Sequence, residues 1–86
     1  MKTIKIDGPV VSMVFAGNHR DKASKLKYVS TAWRDRGNTV IVVSLSHVGD
    51  AESAILTLSK CLGQTPTETQ TSQHGCDVLH HPHGDN

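Results

Sequence analysis

The pattern of apolar and polar residues divides the chain at Gly63. Before Gly63, apolar runs alternate with stretches in which apolar residues recur at helical spacing, and turn-forming residues separate them. After it, residues 64–86 carry only Cys76, Val78 and Leu79 as apolar side chains. Such a segment buries too little apolar surface to offset the entropy lost on ordering. We therefore predict a small folded domain over residues 1–63 and a flexible, disordered polar tail over residues 64–86.

Three segments of the first part are typical of β-strands. Residues 3–7 alternate apolar and polar side chains, and the Asp7-Gly8 dipeptide after them favours a hairpin to the next strand. Residues 10–16 are apolar on both faces, and residues 39–45 form a β-branched run without alternation. Strands covered on both faces have this composition, most often in parallel pairs. We expect the last two segments to be inner strands.

Two segments have the spacing of amphipathic helices. Within residues 19–36, Leu26, Val29 and Trp33 fall on one stripe, and Gly37 provides a helix stop. The second helix is expected to begin after the N-cap Asp50 and to end at Gly63. Its apolar face consists of Ala51, Ala54, Ile55, Leu58 and Leu62.

The element order ββαβα predicts an α/β domain of the α+β two-layer sandwich type. A right-handed crossover through the first helix would join two strands of a three-stranded mixed sheet, and both helices would pack on the sheet. A folded part of about 60 residues buries a small core and is marginally stable alone. We therefore expect either a monomer or a homodimer, because oligomerisation is one way in which a small domain gains stability.

Charge is polarised along the chain although the net charge is only +1. Residues 19–36 hold six Lys and Arg against two Asp, a local charge of +4, whereas residues 37–86 hold one Lys against five Asp and Glu, a local charge of −4. Such polarity favours association with an oppositely charged surface. The overall balance is far from that of a dedicated nucleic-acid binder.

The predicted first helix carries the leading candidate for a binding surface. Arg20, Lys27 and Arg34 recur every seven residues and so line its polar face, with Tyr28 beside the apolar stripe. We interpret the protein as a small non-enzymatic binding module or modulator that docks through these residues to a partner protein with an acidic surface. A cationic helix face that serves only solubility is the simpler alternative.

Nucleic-acid or phosphate binding by the same basic helix is a further alternative. The turn at residues 17–20 offers backbone amides at a helix N-terminus, but it lacks a glycine-rich phosphate motif. Single-strand binders also need aromatic platforms. Phe15 and Trp33 are expected in the core, which leaves only Tyr28 and makes this hypothesis weaker than protein docking.

The tail carries a possible metal-ligand set of a different functional class. His74, Cys76, His80 and His83 supply the imidazole and thiolate groups that zinc, nickel and copper prefer. Their spacing matches no structural zinc motif. Metal binding by the tail is therefore an alternative hypothesis, beside histidines that are incidental to a disordered segment.

Catalysis and membrane association have little support in the sequence. His47 follows an expected strand at its carboxyl end, but no nucleophile or carboxylate accompanies it at a recognisable spacing. The start of the chain lacks an apolar targeting segment, and the longest apolar run is much shorter than a membrane span. With two cysteines, the composition favours a cytoplasmic protein that keeps its thiols reduced.

Overall fold

Residues 2–80 of the chain fold into six strands and three helices. The structure is a computed structural model that describes residues 2–80, except the side chains of residues 2, 4 and 78–80. The elements are, in chain order, β1 (Lys2–Ile6), β2 (Val10–Ala16), α1 (Arg20–Ser24), β3 (Val29–Asp35), β4 (Asn38–Ser44), α2 (Leu45–Val48), α3 (Ala51–Leu62), β5 (Glu68–Ser72) and β6 (Cys76–His80). Within residues 2–80, no helix has the length and apolar character needed to cross a bilayer.

Four strands form an antiparallel sheet in the order β3-β4-β2-β5, and β1 pairs with β6 in a separate two-stranded antiparallel ribbon. From β2 to β5 the connectivity is βαββαβ, with α1 and α3 as the two connecting helices. This connectivity and strand order are those of the split βαβ, or ferredoxin-like, arrangement. Such an arrangement hosts many unrelated functions and assigns none here.

The core lies between one face of the four-stranded sheet and the helices. Val11, Met13 and Phe15 of β2 alternate toward the helices and are fully buried. On the opposite face, Val10 and Val42 form a smaller cluster under Ile6 and Cys76 of the ribbon. The two inner strands are apolar on both faces because helices cover one face and the ribbon covers part of the other. The other buried members of the main cluster are Ala23, Ile41, Val43, Ala54, Leu58 and Leu62.

The structure confirms the predicted inner strands and the second helix. β2 spans residues 10–16 as expected, and β4 begins one residue earlier than predicted. At the start of α3, Asp50 Oδ1 accepts a hydrogen bond from the Ser53 backbone N–H at 2.7 Å. At its end, Gly63 takes the left-handed conformation with φ +72°. These caps fix the helix at the residues that the sequence indicated.

The prediction of one helix over residues 19–36 is wrong. Only Arg20–Ser24 is helical in that segment, and Val29–Asp35 is an edge strand paired with β4. Arg36 and Gly37 both have positive φ, +55° and +85°, which is the signature of a two-residue type I′ hairpin turn. Gly37 therefore closes a hairpin instead of ending a helix. The β-branched residues of the segment gain a ladder of hydrogen bonds to β4, which outweighs a helical stripe of only three apolar residues.

The predicted three-stranded mixed sheet is also wrong. The structure has sheets of four and two strands, and β2 pairs antiparallel with β4, Val11 lying opposite Val43. A right-handed crossover between parallel neighbours is therefore absent from residues 2–80. Despite the Asp7-Gly8 dipeptide, β1 pairs with the distant β6 and not with β2. Pro9, which has no N–H to donate, stands directly before β2 and weakens the local hairpin.

The expected disorder of the tail does not hold for residues 64–80, which include β5 and β6. The Thr-rich segment Glu68–Ser72 becomes ordered by pairing with β2, from Val10 opposite Ser72 to Val14 opposite Glu68. Its side chains stay largely exposed, so it needs few apolar residues of its own. Residues 81–86 lie outside the described part of the chain.

Candidate interaction surface

The residues predicted to form the binding surface lie along one edge of the four-stranded sheet. Arg20 is on α1, Lys27 and Tyr28 are in the connection after it, and Arg34 is on the edge strand β3. The sequence predicted that these residues share one helix face, and this prediction is wrong. The structure nevertheless keeps them on neighbouring elements, because α1 packs against β3.

A buried threonine anchors the loop that leads into α1. Thr39 of β4 is fully buried, and its hydroxyl donates to the Gly17 carbonyl oxygen at 2.7 Å and accepts from the His19 backbone N–H at 2.8 Å. The His19 ring Nε2 lies 3.0 Å from both the Ala16 carbonyl oxygen and Gln64 Oε1. The Gln64 amide donates to the same Ala16 carbonyl oxygen at 2.9 Å. This network joins the end of β2, the start of β4 and the end of α3, and so fixes where α1 begins.

Arg34 lies beside this anchor. In the β3–β4 register it is opposite Thr39, so both side chains are on the helix-covered face. The Arg34 side chain is half-buried, and its Nε has no hydrogen-bond partner among residues 2–80 and no exposed surface. The Nε of Arg34 is therefore held against the body of the protein, although β3 is an edge strand of the sheet.

Arg20 is positioned by two short-range contacts at the start of α1. Its Nη2 pairs with Asp21 Oδ1 at 3.0 Å, and its backbone N–H donates to Asn18 Oδ1 at 3.4 Å. The ion pair joins adjacent residues and its carboxylate is largely exposed, so it contributes little to stability.

The remaining cations of residues 19–36 are exposed. Together with Arg20 and Arg34 they form a surface that we call the basic edge. Because only Asp21 and Asp35 oppose its six cations, the basic edge holds the local charge of +4 and attracts anionic groups. The exposed cations are Lys22 on α1, Lys25 and Lys27 in the connection to β3, and Arg36 in the β3–β4 turn.

The two aromatic residues of this region lie in different places. Tyr28 is half-buried on the core side, and burial, with a smaller contribution from Cys61, raises the pKa of its phenol. Trp33 was expected in the core on the apolar stripe of the first helix, but it packs half-buried against Val10 and Val42 on the opposite face of the sheet. In the structure residues 31–34 alternate between the two faces, but their sequence, Thr-Ala-Trp-Arg, lacks the apolar–polar alternation that would have predicted a strand.

Of the four predicted metal ligands, only His74 and Cys76 have described side chains. No group of three or more His, Cys, Asp or Glu side chains suited to a metal ion occurs within residues 2–80, where described. His74 is exposed in the β5–β6 turn, whereas Cys76 packs into the smaller apolar cluster. Burial, and then the charge of Asp77, raises the pKa of the Cys76 thiol, which disfavours the thiolate that a metal needs. The side chain of His80 and all of His83 lie outside the described residues.

An open cleft lies at the other end of the sheet, between the start of α3 and the end of β5. It has a volume of about 410 Å³, and Asp50, Ala51, Thr71 and Gln73 are among its lining residues. Its one carboxylate, Asp50, is engaged in capping α3, and the Ser53 backbone N–H lowers the pKa of that carboxyl. His47 is exposed on α2 and does not line this cleft. Ser46 also lines the cleft, and its hydroxyl shares a hydrogen bond with the Ser44 hydroxyl at 2.8 Å.

Comparison of the chain with protein-family models, with curated proteins and with solved structures finds no match.

Proposed function

We propose that the protein is a small non-enzymatic binding module that docks to an acidic surface of a partner protein through the basic edge. The observation that carries this proposal is the position of the cations. Six Lys and Arg side chains are gathered on and beside β3, which is an edge strand of the four-stranded sheet.

An edge strand offers backbone N–H and C=O groups that a partner strand can use. Within residues 2–80, β3 pairs on one side only, with β4. Cations on an edge strand discourage pairing between copies of the same strand, because like charges would meet. An acidic segment reverses this effect, since it neutralises the cations as it approaches.

The loop anchor supports the proposal because it ties the start of α1 to β4. Thr39 holds the loop before α1, and the same β4 position lies opposite Arg34. A partner therefore meets Arg20 and Arg34 on backbone that is already held in place, which lowers the entropy lost on binding.

Nucleic acid is a weaker candidate for the same surface. Phe15 is fully buried, and Trp33 is on the sheet face opposite Arg34. Bases stacked on Trp33 would therefore be separated by the sheet from the Arg34 guanidinium. Stacking and phosphate contacts on one surface are what single-strand binders combine.

The test uses poly-glutamate as the acidic probe and oligo-thymidine as the nucleic-acid probe. Amide chemical shifts of the labelled full chain are followed during titration at low salt. We expect poly-glutamate to shift amides of α1, β3 and the connection between them, with an affinity that falls as salt is added.

The variant Lys22→Glu/Lys27→Glu reverses two exposed cations of the basic edge, and Lys2→Glu/Lys60→Glu makes the same charge change elsewhere. The first variant should lose most of the shift changes and the second should keep them. Equal losses in both variants, or tighter binding of oligo-thymidine than of poly-glutamate at the same salt, would reject the proposal.

A further inference from the structure

The opposite edge of the four-stranded sheet differs from the basic edge. β5 is the other edge strand, and within residues 2–80 it pairs only with β2. It contains no Lys, Arg or Pro, and its register with β2 is continuous from Glu68 to Ser72. By contrast, β3 carries an irregularity between Val29 and Thr31. Between Glu68 and Ser72, β5 thus lacks the cations, prolines and bulges that protect an edge strand from pairing with another chain.

The ribbon formed by β1 and β6 does not cover this edge. Ile6 and Cys76 of the ribbon pack on Val10 and Val42, which belong to β2 and β4. The ribbon therefore lies over the middle of the sheet and not beyond β5. The β5 side chains remain exposed, apart from Ser72, which is partly buried.

The hydrogen bonds of β2 determine which backbone groups of β5 point outward. The Pro9 carbonyl oxygen, just before β2, accepts from the backbone N–H of Leu45 just after β4, whereas the Val14 carbonyl oxygen accepts from that of Thr67 just before β5. Because alternate residues of a strand turn their N–H and C=O to opposite sides, the even-numbered residues of β2 face β5. Their partners Glu68, Gln70 and Ser72 therefore turn inward.

Thr69 and Thr71 consequently present their backbone N–H and C=O groups at the free edge. Ser12 Oγ lies 3.5 Å from the Gln70 carbonyl oxygen, in agreement with an inward-facing Gln70. A partner strand would form its hydrogen bonds with these two threonines.

We propose that two copies of this chain pair through β5, antiparallel and about a two-fold axis at Gln70, to form one continuous eight-stranded sheet. Under this symmetry Thr69 of one copy lies opposite Thr71 of the other, and each exchanges its outward N–H and C=O groups with its partner. Threonine pairs across antiparallel strands are favourable. Glu68 lies opposite Ser72, so the pairing brings no two like charges directly together.

The helix layer adds apolar contact to this pairing. α3 lies next to β5, since Ala51 and Thr71 line the same cleft. At 3.6 residues per turn, Ile55 lies on the flank of the α3 apolar stripe opposite Cys61. Cys61 is near enough to Tyr28, in the α1–β3 connection, to contribute to the raised pKa of its phenol. Ile55 is therefore on the β5 side, and the two α3 helices of the pair approach each other along this flank.

This inference is independent of the proposed docking function, because it concerns the other edge of the sheet. In the paired form, the two β3 strands are the outer edges of the eight-stranded sheet. Both basic edges remain accessible, and one dimer presents two of them.

Sedimentation equilibrium of the full chain from micromolar to millimolar concentration tests the pairing. We expect a monomer–dimer equilibrium that Gln70→Lys weakens by about tenfold or more, since the substitution places two cations together at the two-fold axis. Thr31→Lys makes the same kind of change on the β3 edge and should leave the equilibrium within about twofold of that of the original chain. Circular dichroism checks that both variants fold.

A cysteine variant tests the proposed register, in which Gln70 of one copy lies opposite Gln70 of the other. Opposed residues that do not exchange hydrogen bonds in an antiparallel pair have Cα atoms about 4.5 Å apart, within the range of a disulfide. Gln70→Cys should therefore form a covalent dimer on mild oxidation, and Thr31→Cys should not. A monomer at all concentrations, a dimer insensitive to Gln70→Lys, or equal cross-linking of the two cysteine variants would overturn the inference.

Discussion

Replacing Thr39 with valine tests the loop anchor at the basic edge. Valine has nearly the shape of threonine, so the substitution removes the hydroxyl and keeps the packing of β4. The His19 backbone N–H loses its acceptor at 2.8 Å, and the Gly17 carbonyl oxygen loses its donor at 2.7 Å. Each such hydrogen bond contributes about 1 kcal/mol net, so we expect the free energy of unfolding to fall by about 2 kcal/mol.

Urea denaturation followed by the fluorescence of Trp33, the single tryptophan, measures this change. Thermal unfolding should show a Tm lower by on the order of 10 °C in a domain of this size. Thr3→Val, at an exposed strand position, is the matched control and should change the free energy of unfolding by less than about 0.5 kcal/mol.

Thr39→Ser separates the hydroxyl from the packing. Serine keeps both hydrogen bonds and loses one buried methyl group, at a cost of about 1 kcal/mol. Valine should therefore be the more destabilising of the two substitutions. If serine is the more destabilising, Thr39 acts through packing and the anchor described above is incorrect.

Two further predictions concern the turn at Gly37 and the cap at Asp50. Gly37→Ala should lower the free energy of unfolding by about 1 kcal/mol, because φ is +85° there, whereas Arg36→Asn should be neutral or slightly stabilising in urea denaturation. The hydrogen bond from the Ser53 N–H lowers the pKa of Asp50 in the folded state. The charged Asp50 carboxylate therefore stabilises the fold fully at pH values above its unfolded-state pKa. This stabilisation is lost as the pH falls through the folded-state pKa. Asp50→Asn keeps a good N-cap without a titrating group, so its stability should vary less with acid pH than that of the original chain. Equal acid sensitivity of both proteins would contradict the assigned role of the Asp50 charge.

The sequence alone determined the elements whose signals are local. Asp50, Gly63 and the apolar stripe between them defined α3, because caps and helical periodicity act within a few residues. The two inner strands were also evident, since a β-branched run without alternation needs cover on both faces. The gathering of cations in space followed from their closeness in sequence.

Tertiary structure decided the elements whose stability comes from distant partners. Residues 29–35 have a weak helical stripe, and only pairing with β4 makes them a strand and places Arg34 and Trp33 on opposite faces of the sheet. The polar segment 68–72 becomes ordered because β2 supplies its hydrogen bonds, and β1 pairs with β6 from the far end of the described chain. Backbone pairing of this kind leaves little trace in local composition. The free edge at β5 and the position of Arg34 on the edge strand β3 are therefore properties of the assembled sheet.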